Sequence, residues 1–386
     1  MKRRLVSIVL LLLILVHSMS SKVYAEVDLK INAKSAILID VNTGAVIYKL
    51  NENDRLAPAS ITKIMTMLLG MEALETGRIK LTDKVMVSEH AAKMGGSTVF
   101  LETGEIQTVE DLFRAIAIRS ANDASVALGE YIAGSEDIFV KKMNEKAKAL
   151  GMENTEFYNS SGLPNENHYV SAYDVALMSK ELLKYDKVHD WLTTYMTDLQ
   201  VGKNKSSTQT MVNTNRLIKE YEGANGIKTG STNEAGFCLS ASAKRGNLQL
   251  IAVVLGAIDS KTRFDEAKRM LDYGFANYDS VAIGKKGDIV AIIPVEKGKI
   301  QEAELMLERD SYVLLPKGER GNIVKDLIVP EVIDAPILAG DEVGKLEISL
   351  DGKKIDEVKL ISKSSVEKAN FLNILDRTLK SYLRGR

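Results

Sequence analysis

Ser60 and Lys63 stand three residues apart in Pro58-Ala59-Ser60-Ile61-Thr62-Lys63, just ahead of the apolar run Ile64-Met65-Thr66-Met67-Leu68-Leu69. A proline fits the first turn of a helix, where its missing N–H has no partner to lose. Residues three apart on a helix share a face. The spacing therefore predicts a helix that opens at this proline and brings the Lys63 amine to the Ser60 hydroxyl. A hydroxyl is a poor nucleophile until a neighbouring base takes its proton. A lysine is such a base only when burial lowers its pKa toward neutrality. The positive end of the helix favours an anion forming beside Ser60. The chemistry expected is a serine nucleophile activated by a lysine.

Ser-x-x-Lys alone is weak evidence. A second copy, Ser365-Val366-Glu367-Lys368, lies far from any other catalytic-looking residue. A serine near a helix start is also an ordinary capping residue. Two downstream motifs change the weight. Ser120-Ala121-Asn122 follows Ser60 by 60 residues, and Lys228-Thr229-Gly230 follows Asn122 by 106. Lys-Thr-Gly occurs once, and the other Ser-x-Asn, at Ser231-Thr232-Asn233, stands behind it and so out of order. The ordered triple resembles the motif set of class A β-lactamases and penicillin-binding proteins, whose middle member has the form Ser-Asp-Asn where this chain has Ser120-Ala121-Asn122.

On these residues the chain resembles the low-molecular-mass penicillin-binding proteins of the D-alanyl-D-alanine carboxypeptidase family. The blocks that carry the resemblance are Pro58 to Thr66, Ser120 to Ala124 and Asn225 to Thr232, with further similarity over Phe157 to Pro164 and after Ser280. The family implies that Ser60 attacks the carbonyl of the substrate's penultimate residue and forms an acyl-enzyme. Lys63 takes the hydroxyl proton, and Ser120 relays a proton toward the leaving amine. Asn122 hydrogen-bonds the substrate or holds Lys63. Lys228 offers a fixed positive charge to the terminal carboxylate, and the Thr229 hydroxyl adds a hydrogen bond. Gly230 lets the strand backbone approach the substrate, and the N–H groups of Ser60 and Ser231 form the oxyanion hole. Arg263 is either a further carboxylate ligand or a surface arginine beside Asp259 and Asp265. Lys63 and Lys228 also depress each other's pKa. The implied partners are a peptidoglycan pentapeptide ending in D-Ala-D-Ala and β-lactams as covalent inhibitors of Ser60. No metal or organic cofactor is implied, and no nucleic acid.

The elements that must position these residues are legible from periodicity. Ser35 to Asp40 and Ala45 to Leu50 flank an Asn/Gly turn and read as a hairpin. Residues 70 to 190 read as mostly helical, with Ser120 to Asp123 interrupting the amphipathic run Val109 to Glu130. Asn159 to Pro164 is a loop by its turn residues. Phe237 to Ala241 and Leu248 to Leu255 form a second hairpin, and Thr262 to Phe275 a helix. Strands at both ends of a helical middle, without βα alternation, indicate an α+β fold. It is the penicillin-binding or serine β-lactamase-like kind, an antiparallel sheet with a helical insert. The expected organisation is a signal peptide over 1–25, a catalytic domain over 26–277, a small all-β domain over 278–362 and an amphipathic membrane-anchoring helix over 363–386.

Composition is that of ordinary globular material. The 386 residues are 45% hydrophobic and 27% charged, with a net charge of −1 that gives no bulk reason for nucleic acid. The single cysteine, Cys238, excludes an intramolecular disulfide, and the four scattered histidines show no metal-ligand spacing. Met1-Lys2-Arg3-Arg4, the apolar stretch Leu5 to Val16 and Val23-Tyr24-Ala25 have the form of a secretory signal. Near the C-terminus Phe371, Leu372, Leu375, Leu379, Tyr382 and Leu383 share one helical face, with Arg377, Lys380 and Arg384 opposite. That pattern suits lying in a membrane surface at the outer face of the cytoplasmic membrane. Cys238 reads as core and His168 as structural, and the surroundings of Glu166 do not resemble the loop that holds a deacylating carboxylate in class A β-lactamases. The competing functions are a β-lactamase on the same fold and a non-catalytic, membrane-tethered wall-binding protein.

Overall fold

The computed structural model describes residues 28–319 and 321–383; the expected signal segment and Arg384 lie outside them. Strands β1 (Ser35–Asp40) and β2 (Val46–Leu50) form the expected hairpin. Strands β3 (Ala224–Thr232), β4 (Gly236–Arg245) and β5 (Leu248–Ala257) form an antiparallel meander, and β1 pairs antiparallel with β5. The resulting five-stranded sheet runs β2-β1-β5-β4-β3, so both ends of the domain build it, as the pattern predicts.

Every residue of β1 is buried because both faces of the sheet are covered. Successive side chains of a strand alternate between faces. Ile37 and Ile39, with Ile251, Val253 and Leu255 of β5, join the large helical core. Leu38 and Leu250 instead meet helix α6 (Ser260–Asn277) at Gly274, where a Cβ would sit 2.5 Å from the Leu250 side chain.

The helical middle centres on α1 (Lys63–Glu75), apolar around most of its circumference and buried along most of its length. The run from Val109 breaks where the sequence suggests. Helix α2 (Val109–Arg114) passes into a π-turn over Ala115–Arg119, ends on Ser120 at φ 65°, and restarts as α3 (Asn122–Ala133). Helices α4 (Glu136–Ala149) and α5 (Ala172–Leu182) follow. Of the polar, turn-like stretch Lys203 to Thr208, only Lys203–Lys205 is a turn, and it joins a hairpin of Met196–Val201 and Ser207–Val212 that the sequence reading did not include. Those strands are polar and largely exposed, so no apolar alternation announces them.

From Tyr278 onward the chain is β-rich. A six-stranded sheet and the pair Tyr278–Gly284 with Ser311–Pro316 enclose a separate core that includes Leu305, Val313, Ile348 and Leu360. Val366 and Lys368 still make bridges to this region, so the terminal helix α7 (Phe371–Leu383) begins only beyond them. Phe371, Leu372, Leu375, Leu379 and Tyr382 are exposed. Among the described residues no helix is long and apolar enough to cross a membrane.

Candidate active site

The nucleophile turn differs from the simple helix start that the spacing suggests. Ala59–Thr62 is a 3-10 turn with Ala59 at φ 48°, and the α-helix opens at Lys63. Two glycines explain why the turn can sit where it does. A Cβ on Gly162 would lie 1.8 Å from the Ala59 carbonyl oxygen, and one on Gly230 would lie 2.9 Å from the Ser60 nitrogen. The loop after Asn159 and strand β3 thus close on the turn from either side, with no room for side chains.

Lys63 is fully buried, and its Nζ lies 3.0 Å from Ser60 Oγ. Its other two partners are Asn122 Oδ1 and the Ser161 carbonyl oxygen, each at 2.6 Å. Both are pure acceptors, so the amine must donate to both. A neutral amine then has both hydrogens committed and only its lone pair left for the Ser60 hydroxyl. Burial, first, and the Lys228 charge, second, hold the Lys63 pKa well below the usual lysine value, against a smaller opposing pull from Asp123. The expected push of Lys228 on Lys63 is present, but burial outweighs it, and the charge acting on Lys228 in turn is that of Arg263.

Ser120 is buried in a left-handed conformation that a non-glycine residue holds only under surrounding constraint. Its neighbours supply that constraint. Asn122 donates from Nδ2 to the Gly95 carbonyl at 2.7 Å while holding Lys63 through Oδ1. Of the two roles open to Asn122, the geometry displays the holding one. Asp123, which the motif reading left without a job, accepts from the backbone N–H groups of Val99 and Leu101 at 3.1 and 3.0 Å. It pins the segment that crosses in front of Ser120.

Lys228 is buried on β3 and donates to the Thr229 carbonyl at 3.0 Å. Burial, and then the Arg263 charge, push its pKa down to about 7. The Thr229 hydroxyl donates to Thr214 Oγ1 at 2.8 Å. Ser231 is exposed at the end of the same strand. Arg263 is not the surface arginine of the alternative reading: it is 8% exposed, and Nη1 donates to the carbonyls of Gly230 and Cys238 at 2.9 and 3.2 Å. It braces β3 against β4 at the glycine of Lys-Thr-Gly. Asp259 and Asp265 instead cap α6 and pair with Lys261.

The loop from Phe157 to His168 contributes more than its turn residues announce. Besides the Ser161 carbonyl and Gly162, the Ser160 carbonyl accepts from Thr66 Oγ1 at 2.6 Å. His168 Nε2 lies 3.0 Å from Thr62 Oγ1 inside the nucleophile turn, and burial pushes its pKa down to about 4, which keeps the ring neutral. Its place is structural, as expected. Glu166 is exposed, and Cys238 is core, its thiol pushed up to about 11 by burial. The only sequence signal for this loop was its resemblance block, because its contributions are backbone atoms and the absence of a side chain.

A family model described as D-alanyl-D-alanine carboxypeptidase matches residues 21–259, and one described as the penicillin-binding protein 5 C-terminal domain matches residues 278–368. The D-alanyl-D-alanine carboxypeptidase DacF of Bacillus subtilis is 49% identical over 358 residues, 92% of this chain and 92% of its own. Penicillin-binding protein 5 from Haemophilus influenzae has a solved structure that matches with a TM-score of 0.71 at 32% identity, over 88% of this chain and 98% of that one. Penicillin-binding protein D2 from Listeria monocytogenes, solved in its ampicillin-bound form, matches at 0.58 and 28% identity over 64% of this chain and 100% of its own. Identity at this level over nearly the full length, joined to a buried lysine at a serine hydroxyl, places the chain in the D-alanyl-D-alanine carboxypeptidase family.

Proposed function

We propose that the protein is a serine-type D-Ala-D-Ala carboxypeptidase that removes the terminal D-alanine from peptidoglycan pentapeptides, with Ser60 as nucleophile and Lys63 as its base. One observation carries the assignment of residues. The Lys63 amine is buried 3.0 Å from Ser60 Oγ, and its other partners can only accept hydrogen bonds. Ser60 Oγ attacks the carbonyl carbon of the penultimate D-alanine as its proton passes to Lys63 Nζ. Collapse of the tetrahedral intermediate breaks the peptide C–N bond. The leaving nitrogen takes a proton through Ser120, and D-alanine departs. Water then hydrolyses the Ser60 ester and restores the hydroxyl. Lys228 and Thr229 receive the substrate's terminal carboxylate, and Arg263 supports this by bracing the Gly230 carbonyl. The N–H groups of Ser60 and Ser231 bind the developing oxyanion. A penicillin enters the same path through its ring amide and remains as a Ser60 ester.

The same reading divides the chain into a catalytic unit to residue 277, a β-rich unit over 278–362 and the tail beyond. Two separate apolar cores support that division. The exposed apolar residues of α7 support a peripheral hold on a membrane surface, and the first 25 residues support export to its outer face. The deciding experiment is D-alanine release from a pentapeptide together with mass mapping of a labelled penicillin. Wild type releases D-alanine and carries a stable label on the Ser60 peptide, and Ser60→Ala does neither. Label on another residue, or rapid turnover of the adduct, would sink the reading.

A further inference from the structure

One of the two acceptors that orient the Lys63 amine, the Ser161 carbonyl, is a backbone atom, so another group must hold it still. Asn159 Oδ1 accepts from the N–H groups of Ser161, Gly162 and Leu163 at 3.2, 2.7 and 3.1 Å. That shapes the loop locally without tying it to the body of the domain. The tie is Glu136. It is the first residue of α4, behind the Ser135 cap, where a carboxylate ordinarily faces water and complements the helix end. Here it reaches a loop 24 residues further on: Oε1 accepts from the Ser160 N–H at 2.9 Å and from the Ser160 hydroxyl at 2.6 Å. Its Oε2 lies 2.8 Å from His90 Nε2, and its side chain is only 14% exposed.

Gripping both polar groups of one residue sets the direction of the adjoining peptide planes. Ser160 turns its own carbonyl to Thr66, and the next carbonyl, that of Ser161, to Lys63. Burial pushes the Glu136 carboxyl up, yet the Ser160 and His90 hydrogen bonds outweigh it and hold the group below the usual glutamate value. The anchor is therefore ionised at neutral pH, and its hydrogen bonds are charge-assisted.

We propose that Glu136 is a positioning residue of the acylation step, holding Ser160 and Ser161 so that two successive carbonyls meet α1 and keep the Lys63 amine dry with its lone pair on Ser60. This rests on the reading of Ser60 and Lys63 given above. The test is the pH profile of acylation by a labelled penicillin, measured on the full chain for wild type, Glu136→Ala and Glu136→Gln. Glu136→Ala slows acylation about tenfold at pH 7, because the base is no longer held in place. It also moves the rising limb to higher pH, because water reaching Lys63 relieves the burial that depresses its pKa. Lys228 and Asp123, the other charged groups acting on Lys63, are unchanged by the substitution. Glu136→Gln keeps an acceptor oxygen, stays within about threefold of wild type and leaves the limb in place. Wild-type kinetics in Glu136→Ala, a slower rate with an unmoved limb, or equal loss in both variants would each overturn the proposal. If Glu136→Ala does not fold, Ser160→Ala removes one of the two donors. It must then show a smaller slowing with a shift in the same direction, and wild-type behaviour there counts against the anchor. Failure of the Ser60 reading looks different: wild type itself would then show no Lys63-dependent limb.

Discussion

The lysines around the nucleophile and those on the C-terminal sheet are the same side chain in two solvents. Lys63 and Lys228 are buried among backbone carbonyls without a carboxylate in contact, and burial drives both pKa values down. Lys345 and Lys354 stand in water beside Glu347 and Glu357, at 2.5 to 2.9 Å, and those pairings raise both. At Lys63 the first arrangement withholds a proton from an amine so that it can accept one. The second secures a charge that water would have solvated anyway. Ion-pair counts are therefore a poor guide to where chemistry lies in this molecule, and an uncompensated buried base is a better one.

Four changes would break or sharpen that contrast. The largest effect belongs to Lys63→Met, which fills the same space without a base. Penicillin acylation falls by about 10²–10⁴-fold, as expected for loss of a general base, while thermal unfolding shows the chain still folded. Acylation near the wild-type rate would mean that another group takes the Ser60 proton. Next is Gly162→Ala. Its Cβ would meet the Ala59 carbonyl at 1.8 Å, and its φ of +86° is costly for a side chain. Stability drops by about 4 kcal/mol or more, or the nucleophile turn is displaced and acylation is lost. Calorimetry and labelling together decide which.

The pH response comes third. Lys63 serves as a base above its lowered pKa and is lost to protonation as pH falls through it. Lys228 carries its charge below about pH 7 and loses it above. The acylation rate constant of the free enzyme toward a carboxylate-bearing penicillin therefore has a rising limb set by Lys63 and a falling limb as pH passes about 7. Lys228→Met removes the falling limb and weakens carboxylate binding. Linkage runs the same way. In the folded state Lys228 titrates near 7 rather than at 10.5, so the folded chain binds fewer protons between those values, and stability gains with rising pH across that window. Lys228→Met flattens that slope. The smallest effect is expected of Lys354→Ala, which leaves acylation and the unfolding midpoint indistinguishable from wild type. A clear loss of either would erase the contrast drawn above.

Much of the fold was legible because its signals are local. The β1–β2 hairpin, the break at Ser120 and helix α6 follow from turn residues and apolar period. The hairpin at Met196–Val212 was not, since its strands carry no apolar alternation. Arg263 was left between a carboxylate ligand and a surface arginine because acidic neighbours in sequence suggested pairing. In space its guanidinium turns inward to the Gly230 carbonyl, and those acids find other partners. Asp123 and Glu136 were passed over for a related reason. Their partners are backbone N–H groups of segments that the motif spacing does not connect to them.

Side-chain identity and order determined which groups the site can use: three hydroxyls, two amines, an amide and a glycine, arranged in three blocks that have one familiar meaning. Whether the amine at position 63 is a base or merely a cation was decided elsewhere. Its pKa depends on exclusion of water and its orientation on a carbonyl 98 residues away, and both exist only once the Gly162 loop and β3 have closed on the turn. Desolvation is a property of packed volume, which no residue carries by itself.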